Sequence, residues 1–65
     1  MDTFNIVQEV LNRIHEFVHI DELKQFITDL VKMSVDTEAE FDYTFEEVIL
    51  ELEAYPEYLE LKYGS

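Results

Sequence analysis

The chain has no cysteine and no tryptophan, a single glycine (Gly64), a single proline (Pro56) and only four lysines and arginines among its 65 residues. Without cysteine there is no disulfide to staple a small core and no thiolate to act as nucleophile or metal ligand, a usage that suits a reducing compartment, and a cytoplasmic location is expected. One glycine next to the last residue leaves no glycine-rich phosphate loop. Four bases make no basic patch, which opposes direct binding to nucleic acid or to an anionic membrane. No apolar run exceeds a few residues, and Met1-Asp2-Thr3-Phe4 lacks the basic region and apolar stretch of a secretory leader, so neither a membrane span nor a signal peptide is expected.

What the chain has in excess is acid. Sixteen Asp and Glu set the net charge at −12, and the natural partner of such a surface is basic. The excess is uneven: residues 1 to 34 carry a net −3, with Arg13, Lys24 and Lys32 among them, whereas residues 35 to 65 carry a net −9 with Lys62 alone. A hydrophobic content of 48% argues for folding despite this charge. At this length the chain forms one domain, residues 1 to 65, burying roughly 60% of its unfolded surface, which leaves little room for an enclosed active site.

Apolar spacing predicts the elements. Phe4, Val7, Val10, Leu11, Ile14, Phe17 and Val18 recur at three and four residues, so a helix is expected from Thr3 to about Val18. Asp21 is the expected cap of a second helix whose apolar face is Leu23, Phe26, Ile27, Leu30, Val31 and Met33. Residues 35 to 45 alternate polar and apolar like a half-buried strand, yet Phe41, Phe45, Val48, Ile49 and Leu52 keep helical spacing, and no second strand is available for pairing. Thr37 with Glu40 and Thr44 with Glu47 each spell a capping box, and Tyr43 with Val48 would staple the second. A helix is therefore expected from about Thr44 to Tyr55, with residues 37 to 43 either its first turns or a short helix of their own. Pro56 either interrupts it or opens a short last helix ending near Tyr63, with Gly64 as its stop. The expected fold is all-α, a small single-domain bundle of three main helices with a short fourth at the C-terminus as an option.

Two motifs suggest metal. His15-Glu16-Phe17-Val18-His19 matches HExxH, in which two histidines one helical turn apart hold zinc and the glutamate activates water. A catalytic zinc needs a third protein ligand, and with no other histidine that ligand would have to be Glu38 or Glu40. Zinc proteases of this kind seat their substrate along a sheet edge, which an all-α chain lacks, so His15 and His19 are expected to be boundary residues and no enzyme is expected. Asp36, Glu38, Glu40, Asp42, Thr44 and Glu47 occupy positions 1, 3, 5, 7, 9 and 12 of an EF-hand calcium loop, but Phe41 stands where the turn needs glycine. The capping boxes account for the same acids without calcium, and no cofactor is expected. Thr37-Glu38-Ala39-Glu40-Phe41 is similar to a run near the first helix of colicin immunity proteins; the likeness covers five residues, and no family is assigned on it.

The remaining feature is a surface. Were residues 36 to 55 one helix, Tyr43, Leu50 and Ala54 would lie almost opposite its core face, flanked by Glu46 and Glu53 on one edge and Glu40, Glu47 and Glu51 on the other. Residues 36 to 60 as one helix would run roughly 37 Å and carry ten acids, about one per 3.7 Å, close to the phosphate spacing of a single DNA strand. The expected function is an acidic protein-interaction module, an inhibitor or regulator with DNA-mimic-like electrostatics that docks on a basic partner through Asp42, Tyr43, Glu46, Glu47, Leu50, Glu51, Glu53, Tyr55 and Tyr58. The alternative is a homodimeric scaffold that uses the apolar strip for self-association.

Overall fold

The computed structural model describes residues 3 to 64. They form helix α1 (Thr3–Arg13), a 3-10 turn (Ile14–Glu16), and helices α2 (Ile20–Ser34), α3 (Glu38–Leu52) and α4 (Pro56–Gly64), with no strand among the described residues. The fold is the expected all-α bundle of three main helices, and the short fourth helix is present.

One core holds the elements together. Ile6, Val7, Val10 and Ile14 enter from α1 and its turn, Leu23, Ile27 and Val31 from α2, Val48 and Leu52 from α3, and Tyr58 from α4, all 4% exposed or less. On α2 the spacing of four lines these side chains up on one face. Each such aliphatic side chain stabilises the fold by about 1.5–3 kcal/mol through burial, so the interlock of α1, α2 and α3 dominates its stability. α4 adds one fully buried side chain and lies against the 3-10 turn.

The helix boundaries correct the sequence expectation in two places and decide between its alternatives in a third. The first helix stops at Arg13, five residues early, and passes through the 3-10 turn to an extended Phe17. Phe17 turns inward to meet Phe26 of α2, ring centroids 5.5 Å apart, and the Arg13 guanidinium lies 5.7 Å from the Phe26 ring centre on the same side. That contact needs the chain to leave the helix. Second, α2 starts at Ile20 with His19, not Asp21, in the capping position. The Glu22 carboxylate reaches back to accept the Val18 and His19 N–H groups at 3.0 and 3.4 Å, pulling that carboxyl below the usual glutamate range. Third, residues 38 to 43 are the first turns of α3, because Thr37 caps it: Thr37 Oγ1 accepts the Glu40 N–H at 3.2 Å. Thr44 is consequently inside the helix, and the second capping box and its staple are not formed.

α3 ends where Pro56 begins α4. Proline disfavours a helical residue before it and carries no N–H, so Tyr55 closes the turn and Pro56 takes the first helical position. Glu53 at the end of α3 accepts a hydrogen bond from Lys62 of α4 at 3.2 Å, tying the two helices. The apolar faces are also narrower than their spacing implied: Phe4, Val18 and Met33 are 68%, 70% and 82% exposed.

Candidate functional site

α3 is anchored by Val48 and Leu52, and its phase follows from them. At 100° per residue Tyr43 and Leu50 fall almost opposite the core face. Both are exposed, at 67% and 63%, on the side of α3 opposite Val48 and Leu52. Phe41 and Phe45 lie nearer the core face, half-buried, and stack on each other at 6.2 Å. The helix carries six acids and no base. Glu38, Glu40, Asp42, Glu46 and Glu51 are exposed and Glu47 is half-buried.

Among the described residues none of these six is paired with a base. The ion pairs among the described residues are Glu9 with Arg13, one helical turn apart on α1, and Glu53 with Lys62. Five of the six lie in two rows along α3: Glu40, Glu47 and Glu51 on one flank and Asp42 and Glu46 on the other, with Tyr43 and Leu50 between them.

Two of the expected docking residues are otherwise engaged. Tyr58 is only 1% exposed, packed into the core with its phenol pushed up by burial, so it cannot serve as an anchor for a partner. Its placement followed from counting α4 as a continuation of α3; the turn at Pro56 rotates it inward. Glu53 is held by Lys62, whose ammonium is raised by that hydrogen bond. Tyr55, at the turn, is half-buried. The same turn shortens the acidic rod: α3 spans about 22 Å, not 37 Å, and the longest dimension of the molecule is 33 Å. Along α3 itself the acid spacing is unchanged.

The metal motifs lose their geometry. His15 lies in the 3-10 turn and His19 is extended (φ −117°, ψ 147°), so the two imidazoles do not stand one α-helical turn apart on a common helix. They line an open groove of about 570 Å³ with Glu57 and Glu60 of α4 across from them. No cluster of three His, Asp or Glu side chains suited to hold a metal ion is present among the described residues. The twelve residues with EF-hand spacing are mostly α3, where alternate side chains diverge by 200° and do not converge as in a loop.

A second concavity was not foreseen. Between the start of α1 and the outer edge of α3 lies a groove of about 340 Å³ lined by Phe4, Val7, Tyr43, Glu47, Glu51 and Tyr55, with Thr3 and Gln8 at its α1 side. Phe4 was expected in the core; its 68% exposure puts its ring on this groove. The signal available in the sequence was the four-residue interval of Tyr43, Glu47, Glu51 and Tyr55, which sets aromatic, acid, acid and aromatic in one slanted row. Comparison with family models, with curated proteins and with solved structures returns no match.

Proposed function

We propose that this chain is a non-enzymatic, cytoplasmic protein-interaction module that inhibits or regulates a partner by docking α3 on its basic surface, as on a nucleic-acid-binding protein. The observation that carries the proposal is the set of six α3 carboxylates with no Lys or Arg paired to them among the described residues, five of them flanking exposed Tyr43 and Leu50. Charge of one sign speeds encounter with a basic surface, and a tyrosine and a leucine amid that charge supply contacts that persist after water is expelled. No described helix is long and apolar enough to cross a membrane, and the role requires none.

The test is capture of the partner, identified by mass spectrometry, followed by association kinetics as a function of salt. The expected association rate falls by about tenfold or more between low and high salt, as for steered encounters. Salt-insensitive association, or recovery of no basic protein, overturns the proposal.

The exposure of Tyr43 and Leu50 side by side also favours a second reading, a homodimer closed through this strip. Sedimentation of the wild type and of Leu50→Glu separates the two. A dimer that the substitution dissociates supports the scaffold, and an unchanged monomer supports the docking module.

A further inference from the structure

We propose that the groove between α1 and α3 is the seat of an arginine side chain presented by the basic partner. This rests on α3 being a docking surface and names the point on it where recognition is specific. The groove combines the two things a guanidinium binds best: aromatic faces to stack on, from Phe4, Tyr43 and Tyr55, and carboxylates to accept its fork of N–H donors, from Glu47 and Glu51. At about 340 Å³ it is near the lower bound of ligand sites, a size for one side chain and not for a cofactor. Val7, 3% exposed, is an aliphatic member of its lining against which the side-chain stem can pack.

Charge complementarity is local as well as global. Glu47 and Glu51 stand four residues apart on one helix, a like-charge spacing that works against the helix. No described cation pairs with either, so an incoming cation relieves a repulsion already present. Arginine fits better than lysine because its planar fork can bridge two carboxylates while its face lies on a ring. The opposite flank provides a matched control: Asp42 and Glu46 are also four apart and exposed, and neither lines the groove.

The experiment is an NMR titration of the full chain with a short peptide of alternating arginine and alanine, and with its lysine twin. The arginine peptide is expected to bind about threefold or more tighter than the lysine twin, with shifts concentrated at Phe4, Tyr43, Glu47, Glu51 and Tyr55. Glu47→Gln with Glu51→Gln is expected to weaken it about tenfold, and Asp42→Asn with Glu46→Gln, which removes the same α3 charge away from the groove, by only about threefold. Circular dichroism checks that both double variants keep their helices. Equal weakening by the two pairs, or equal affinity for the two peptides, overturns the arginine seat and leaves α3 as a diffuse acidic surface. If the wild type binds neither peptide, α3 as a docking surface fails and the seat fails with it.

Discussion

At the scale of single residues, Glu22 joins two parts of the fold through its carboxylate alone. It accepts from the Val18 and His19 N–H groups, which as the entry to α2 have no helical acceptor of their own. Because those bonds favour the charged form, the folded-state pKa is lowered. A lowered carboxylate pKa gives stability that is present above the unfolded value and is lost as pH falls through the folded one. Glu22→Gln should therefore lower the melting temperature at neutral pH, and the gap to wild type should close as the pH falls through the lowered pKa of folded Glu22, below which both side chains are neutral. A gap that persists there would assign the loss to packing. Nothing in His19-Ile20-Asp21-Glu22 announces this, since histidine is not a favoured cap; the identity of the capping residue was illegible although the glutamate three positions on was in plain view.

At the scale of elements, what periodicity could reach was the existence and the buried face of each helix. It placed the core of α2 from Leu23, Ile27 and Val31, and of α3 from Val48 and Leu52. What it could not reach was where α1 stops, because the apolar spacing runs on through Phe17 and Val18 while the contact of Phe17 with Phe26 demands a turn. The opposite case is Thr37, whose cap was written in the sequence and competed there with an equally good one at Thr44. Thr37→Ala should cost about 1 kcal/mol and lower the melting temperature by about 4–8 °C, measured by thermal denaturation. Thr44→Ala removes no cap, so it should show no comparable capping loss. The groove was illegible for a related reason: Phe4 shares the spacing of the core residues, and only the packing of α1 on α3 decides that its ring stays outside.

At the scale of the whole molecule, a net charge of −12 is confined to a body 33 × 19 × 17 Å. Repulsion among its carboxylates works against the compact state, and mobile ions screen it over about 8 Å at physiological ionic strength. The melting temperature should accordingly rise as sodium chloride is added from low millimolar to about half-molar, the concentration at which screening is almost complete. A melting temperature that is flat or falls with salt would mean that Glu9–Arg13 and Glu53–Lys62 outweigh the unpaired acids. The packing of α3 across both α1 and α2 has a further consequence. Arg13, Lys24 and Lys32 all belong to the first two helices, and α3 carries six acids and no base, so charge is shared unevenly between the helices. On the docking proposal, the field of a cationic surface would exert a torque as well as a pull on such an asymmetric charge, bringing Tyr43 and Leu50 foremost and narrowing the rotational search before first contact.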